Sequence, residues 1–293
     1  MKLYHDEIAT PVRDAASIVL LRDHTDGLQV FLMKRHAASE VMGGVHVFPG
    51  GKVDADDVLL EAPLFDQDIQ TLAASLNETA LSHRQASALY AAAIRETFEE
   101  SGVLFASPET AERLQTAASL HQGGLPFGQL LMQLNMHLQT RAILPWARWI
   151  TPKTSNLTQK RYDTRFFIAA LPAMQTASCA NHESTESVWL GPRQALTLYW
   201  NKDISLAPPQ IMSLVHLSHH DSVASVMQQA AQTPAPLIEP HHCILDGLHM
   251  ICFPGDAQHP VNERALPGPT RLYYRNKRFE PIDGFEAMFR NAA

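Results

Sequence analysis

At 293 residues, 45% hydrophobic and 18% charged, the chain has an ordinary globular composition and enough length for one elaborated domain or a domain with an extension. Its formal net charge of −7 argues against non-specific binding to a nucleic-acid backbone. The longest early apolar run, residues 15–21, is far too short to span a membrane and contains Ser17. Cys179, Cys243 and Cys252 show no Cys-x-x-Cys spacing and make no disulfide framework. The acidic N-terminus lacks signal-peptide order and residues 290–293 carry no Ser-Lys-Leu-type address, so a cytoplasmic location is the default expectation.

Residues 15–22 and 28–35 predict two strands joined by a hairpin turn at His24-Thr25-Asp26-Gly27. Lys34, Arg35 and His36 end the second strand and approach Gly43-Gly44 and Gly50-Gly51, where glycine permits close ligand approach. These cations can meet a phosphate or simply be solvated. Ile69, Leu72, Ala73 and Leu76 have helical spacing, which predicts one or two helices within 55–81. Ser82-x-x-Gln85 resembles a capping box opening a further helix, and Gly102 is a natural C′ residue to end it. Ser107-Pro108 predicts another helix with proline at its first position. One more runs about 127–138, and the stretch 104–139 is expected to cover the site or one sheet face.

Aromatic-rich strands are predicted at 142–150 and 161–171. In the second, Arg161, Asp163 and Arg165 alternate on one face, either lining an anion-binding cleft or forming a salt-bridged surface. Glu183 and Glu186 fall in a predicted polar loop, 178–187, before a strand at 188–190 and a helix at 192–200. From Pro208 the composition changes: helices at roughly 208–231, a linker at 232–236, then strands near 242–253 and 271–280. This reads as an extension, 206–293, packed on the core or on a second subunit. Cys243 and Cys252 lie among His241, His242 and His249, but strand alternation explains that segment without a metal. His216, His219, His220 and Asp221 read as an exposed helix end rather than as ligands.

The segment 91–103 carries the chemistry. At 100° per residue Glu96, Glu99 and Glu100 share one helix face, with Ile94 and Phe98 opposite. Like charges at these spacings repel by roughly 0.2–0.5 kcal/mol per pair. Anions in a last turn oppose the helix dipole by roughly 0.3–1 kcal/mol each. No lysine stands nearby. Such crowding is explained either by a solvated acidic face or by a hard divalent cation, Mg²⁺ or Mn²⁺.

Phe48-Pro49-Gly50-Gly51-Lys52-Val53-Asp54 together with Arg95-Glu96-Thr97-Phe98-Glu99-Glu100-Ser101-Gly102-Val103 resembles a Nudix box. The second half matches at Arg95, Glu96, Glu99, Glu100, Gly102 and Val103, with Thr97 where the family usually has an aliphatic residue. The first half is interrupted. Gly51 and Arg95 stand 44 positions apart (95 − 51), about 30 more than the family pattern. Asp57 falls six after Gly51, with Asp54 and Asp56 nearby, and all three are open as substitutes for the family's first glutamate.

The insertion is similar to that of the Nudix branch containing the mammalian peroxisomal coenzyme A diphosphatase. So are Trp149-Ile150-Thr151-Pro152, Arg161-Tyr162-Asp163-Thr164 before Phe166-Phe167, and Leu206-Ala207-Pro208-Pro209-Gln210. A further coenzyme A signature is half present: Gly44 stands four before Phe48, but Glu40 replaces its arginine.

The resemblance implies an α/β/α sandwich with a mixed central sheet: a Nudix domain over 1–205, a helical insertion at about 55–84, and the extension 206–293. It implies Mg²⁺- or Mn²⁺-dependent cleavage of a diphosphate bond in a nucleoside diphosphate linked to another moiety. Coenzyme A or acyl-CoA is the first substrate expected; ADP-ribose or a dinucleotide, or a non-catalytic nucleotide sensor, are alternatives. Glu96, Glu99, Glu100 and the Gly51 carbonyl would be metal ligands, with Arg95 orienting them. Arg35, Gly50, Gly51 and Arg161 would meet the substrate, and Glu99, Glu183 or Glu186 would act as base, Glu183 and Glu186 alternatively as a further metal ligand. A small-molecule partner and a possible homodimer are expected, with neither nucleic acid nor membrane.

Overall fold

The computed structural model describes residues 11–36, 43–153, 160–179, 184–245 and 247–290. Its frame is a hairpin of Arg13–His24 (β1) and Gly27–Arg35 (β2), closed by the two-residue turn Thr25–Asp26 with His24 opposite Gly27. Alternation along this hairpin sorts side chains to two faces. Ile18, Leu20, Phe31 and Met33 enter one core, and Val19, Leu21, Leu28, Val30 and Leu32 enter the other. A sheet buried on both faces needs helices on both, which is the layered arrangement observed.

His46–Val47 (β3) continues from β2, and Gly50–Lys52 (β4) turns back to pair with β1. The sheet therefore forks at Phe48-Pro49. The fork is pinned by the Pro49 carbonyl, which accepts from Ile18 N–H at 3.0 Å and Ser17 Oγ at 2.6 Å. The inserted segment forms two helices, Ala55–Leu59 (α1) and Ile69–Leu76 (α2), and His83–Ser101 (α3) follows. Next come Ala106–Ser107 (β5), Ala111–Gln122 (α4), Phe127–Gln133 (α5) and His137–Leu138 (β6). Leu72, Leu76, Phe105, Ala117, Leu130, Leu131 and Leu138 share the core beneath α3, so the stretch 104–139 covers one sheet face.

Ile143–Ile150 (β7), Tyr162–Ala170 (β8) and Ser184–Leu190 (β9) complete most of the sheet. On the opposite face lie Pro192–Asn201 (α6), Pro208–Leu217 (α7) and Val223–Gln232 (α8). Leu237–Ile238 (β10) adds to β7, giving the order β10-β7-β8-β1-β2-β3, with β4 on β1 and β9 on β2. The β1/β8 and β10/β7 pairs are parallel and the others antiparallel, so the sheet is mixed. His241–Leu245 (β11), Leu248–Cys252 (β12), Arg271–Arg275 (β13) and Arg278–Glu280 (β14) make a separate four-stranded sheet. Its Ile251, Phe253, Leu272 and Phe279 join the core that α7 covers. Helices α7 and α8 and strands β12 to β14 thus share the core of the central sheet.

Several local expectations differ from the structure. Ser107 belongs to β5, and the next helix starts only after Thr110, whose hydroxyl caps it by accepting from Arg113 N–H at 3.2 Å. The helix expected over 127–138 ends at Gln133, and residues 137–138 pair with β5 instead. Glu186 is not in a loop: β9 begins at Ser184, because the edge of β2 offers a ladder with Lys34 opposite Glu186. His216 is half-buried rather than exposed and stacks on Trp146 at 4.3 Å between ring centroids. Burial drives its pKa down to about 4.

Of the two readings for the Arg161–Arg165 row, the structure shows ion pairing. Arg165 bonds Glu78 through two nitrogens, at 2.6 and 2.9 Å. Arg148 bonds Asp163 likewise and reaches Glu78 at 2.8 Å. Glu78 follows α2, so this buried knot ties the insertion to β7 and β8. Arg165→Ala would leave two buried carboxylates short of a guanidinium partner, with an expected loss of about 3 kcal/mol. Urea unfolding checks this; a loss below about 1 kcal/mol would show the knot to be ornamental to stability.

Candidate functional site

The capping box predicted for α3 is present: Ser82 Oγ accepts from Gln85 N–H, and Gln85 Oε1 accepts from Ser82 N–H at 3.0 Å. Gly102 ends the helix at φ +76°, a conformation glycine adopts without strain. Between the caps Ala86, Ala88, Ala91, Ala92 and Ala93 are fully buried, so small side chains let α3 lie close on β1 and β4. Ile94 and Phe98 continue this apolar face, and the last two turns present Arg95, Glu96, Glu99 and Glu100 to the fork of the sheet.

The glycine loop meets these charges directly. Gly50 N–H donates to Glu100 Oε2 at 2.8 Å. The backbone of Gly51 lies so near Glu96 that any Cβ there would collide with the carboxylate. β4 holds the loop in place with Ala16 opposite Gly51.

Arg95 organises the cluster. Its Nε and Nη2 donate to the two oxygens of Asp57, each at 2.8 Å. Nη1 donates to Glu96 Oε1 at 3.0 Å and Glu99 Oε2 at 3.1 Å, and Nη2 also reaches the Lys52 carbonyl at 3.1 Å. Of the three aspartates left open by the sequence, Asp57, six after Gly51, is the one that meets the guanidinium in a two-point bond. Asp54 stays 3.8 Å away and pairs with Lys52. Asp57 Oδ2 accepts from Asp54 N–H at 2.8 Å as well, so the start of α1 fixes the carboxylate that fixes Arg95.

The acidic face is therefore not without an internal counter-ion, as the sequence had suggested; Arg95 supplies one. Compensation is incomplete. Burial pushes the Glu96 pKa up to about 7, with Glu99 and Asp57 adding to the rise and Arg95 opposing it. Burial disfavours the Arg95 charge too, but the Asp57 bond and the surrounding carboxylates outweigh it and keep Arg95 protonated.

Among the described residues no three His, Cys, Asp or Glu side chains converge as a ready-made metal shell, since Glu96 and Glu99 each turn an oxygen to Arg95. The donor chemistry still suits a hard divalent ion. It consists of carboxylate oxygens and backbone, without thiolate or imidazole, around a buried carboxylate whose ionisation is costly until a cation accompanies it.

The structure thus brings together Gly50, Gly51, Arg95, Glu96, Glu99 and Glu100. Arg35 ends β2 beside Gly44 and Val45, its backbone N–H donating to the Val45 carbonyl at 3.0 Å and its carbonyl accepting from Gly44 N–H. Glu186 stands on β9 opposite Lys34 of β2, and that lysine, 2.6 Å away, holds its carboxyl below the usual range. Arg161 is apart from the cluster, bonded to the Thr151 carbonyl at 3.0 Å and Glu239 at 3.4 Å. Glu183 and Glu40 lie outside the described residues. The sequence reading passed over His46. This residue is buried in β3, 3.9 Å from Glu186, and among the described residues has no partner for Nδ1; its only sequence signal was its place just before the glycine loop.

A family profile described as the NUDT19 Nudix domain matches residues 60–217. The chain belongs to the Nudix hydrolase family, in its NUDT19 branch. The acyl-coenzyme A diphosphatase NUDT19 of Xenopus laevis is 30% identical over 241 residues, covering 68% of this chain and 62% of the relative. That of Gallus gallus is 28% identical over 242 residues, covering 67% and 62%. The chain thus matches less than two thirds of either relative's length. A Nudix hydrolase from Alicyclobacillus acidocaldarius superposes with a TM-score of 0.59 at 22% identity, covering 78% of this chain and 98% of that one. It supports the Nudix fold. Among the described residues no helix is long and apolar enough to cross a membrane.

The largely enclosed Glu96, its side chain 14% exposed, makes a stability prediction. Its folded pKa lies above its ordinary 4.5, so the metal-free protein favours the neutral form and loses stability as pH rises from about 4.5 to about 7. Glu96→Gln removes that loss. At pH 8 without metal the variant should be about 1–3 kcal/mol more stable than the parent, with the gap closing towards pH 5. Chemical denaturation at both pH values is the check, and a variant less stable at pH 8 would contradict it.

Proposed function

We propose that the chain is a Mg²⁺- or Mn²⁺-dependent hydrolase of a diphosphate bond in a nucleoside diphosphate linked to a second moiety, with coenzyme A or an acyl-CoA as substrate. The observation that carries this reading is the glycine loop set against the acidic end of α3, with Gly50 bonded to Glu100 and Gly51 against Glu96, while Arg95 bonds both Glu96 and Glu99. The names of the frog and chicken relatives support the substrate.

Glu96, Glu99, Glu100 and the Gly51 carbonyl are the proposed ligands. Bound there, the ion would neutralise the diphosphate and lower the pKa of a water. The chain's own residues mostly position and balance charge, as expected where phosphoryl chemistry needs little covalent help. Arg95 holds Glu96 and Glu99 at a fixed separation, and its two-point bond to Asp57 keeps the guanidinium from swinging into the cleft. The Gly50 N–H orients Glu100. Arg35 and the loop backbone are proposed contacts for the substrate phosphates. Glu186, kept ionised by Lys34, suits a ligand or orienting role better than that of a base, because a depressed pKa weakens proton acceptance. Glu99 remains the base proposed within the described residues.

A panel of coenzyme A, an acyl-CoA, ADP-ribose and a diadenosine polyphosphate, each with Mg²⁺ or Mn²⁺, tests the assignment. Coenzyme A or its acyl ester should be cleaved with the highest kcat/KM. Glu99→Gln should lower kcat by about 10²-fold or more, the loss expected when a proton-transfer group is removed. Normal metal-dependent turnover by that variant would remove α3 from the mechanism.

A further inference from the structure

Between the C-terminal end of α6 and the β13–β14 hairpin lies a pocket of about 470 Å³. Lys202, Lys277 and Arg278 line it, with Asn276 and Ser205 beside them and the Tyr199 ring as one wall. The cations are notable in a chain of net charge −7. Arg278 is set by stacking on Trp200 at 3.9 Å and by bonds to Glu280 and the Trp200 carbonyl. Glu280 offsets that charge and also meets Arg275 at 3.1 Å. Lys202 and Lys277 have no carboxylate partner among the described residues, so the pocket keeps an excess of positive charge.

Both lysines also sit in the left-handed region, Lys202 at φ +71° and Lys277 at φ +65°, with Asn276 at φ +52°. Glycine would be favoured at a helix end and in a tight hairpin turn. Three of the five non-glycine residues in this conformation among the described residues line one pocket. Such a conformation persists where the side chain is worth its strain. The pocket also adjoins the site: the Ser205 carbonyl accepts His46 N–H at 2.8 Å. From His46 to Gly50 is at most about 13 Å of extended chain, a separation of the order of one nucleotide.

The geometry points to this pocket as a second phosphate subsite, which takes a phosphate monoester carried on the ribose of the substrate while the diphosphate lies at the Gly50–Gly51 loop. The inference rests on the proposed diphosphatase reading and narrows its substrate to nucleotides with a 3′-phosphate, such as coenzyme A. The β13–β14 side of the pocket lies outside the residues matched by the family profile, which end at 217, so this feature is argued from this chain alone.

The test is Lys202→Gly with Lys277→Gly, assayed on coenzyme A and on dephospho-coenzyme A. Glycine fits both backbone conformations, so loss of fold is not the expected effect. The double variant should raise KM for coenzyme A at least tenfold, to near that for the dephospho form, with kcat and the dephospho KM changed less than twofold. An unchanged coenzyme A KM, or equal shifts for both substrates, would overturn the subsite. Should the parent protein cleave neither compound, the diphosphatase reading fails on its own. Calorimetry with adenosine 3′,5′-bisphosphate then decides the pocket: binding at least tenfold weaker in the variant supports it, and absent or equal binding overturns it. Inorganic phosphate binding as tightly as the bisphosphate would overturn the substrate assignment in favour of a free anion.

Discussion

The two-point bond between Arg95 and Asp57 is the contact on which the site depends. A guanidinium in this position is surrounded by three carboxylates, and without Asp57 it could satisfy itself by collapsing onto Glu96 or Glu99 alone. Asp57 fills one edge of the fork, leaving Nη1 to divide between the two glutamates. Buried ion pairs of this kind add little net stability but fix geometry, because a partner removed leaves a charge in a low-dielectric setting. The site uses that property for alignment.

The constraint reaches outwards into the fold. Asp57 belongs to the first turn of α1, whose position follows from β4 and the pinned Pro49 carbonyl. The far end of the insertion is secured separately, by Glu78 to Arg148 and Arg165 on the sheet. An insertion that interrupts the motif in sequence is therefore tied at both ends, so that Gly51 meets Glu96 and the Lys52 carbonyl meets Arg95 across it. Two hydrophobic cores, one on each sheet face, make that frame stiff enough to hold carboxylates against their own repulsion.

Local signals in the sequence carried much of this. Alternation marked β1 and β2, the Ser82/Gln85 pair marked the start of α3, and helical spacing placed Glu96, Glu99 and Glu100 together. Readings failed where a distant partner decided. Glu186 joined a strand because the edge of β2 was available, and His216 left solvent because Trp146 offers a ring to stack on. Residue 108 did not open a helix, since Thr110 supplied a better cap. The choice among Asp54, Asp56 and Asp57 needed the path of the insertion. The convergence of Lys202 with Lys277 needed the whole C-terminal sheet, since no local pattern relates residues so far apart.

The central claim is that Asp57, through Arg95, sets the separation of Glu96 and Glu99, the carboxylates proposed to bind the metal. Calorimetric titration of Mn²⁺ into the parent protein and into Asp57→Asn, well below the melting temperature of either, tests it most directly. Loss of an orienting partner should weaken Mn²⁺ binding by about 10–100-fold while far-UV circular dichroism stays unchanged. A folded Asp57→Asn that binds Mn²⁺ as tightly as the parent would contradict the account.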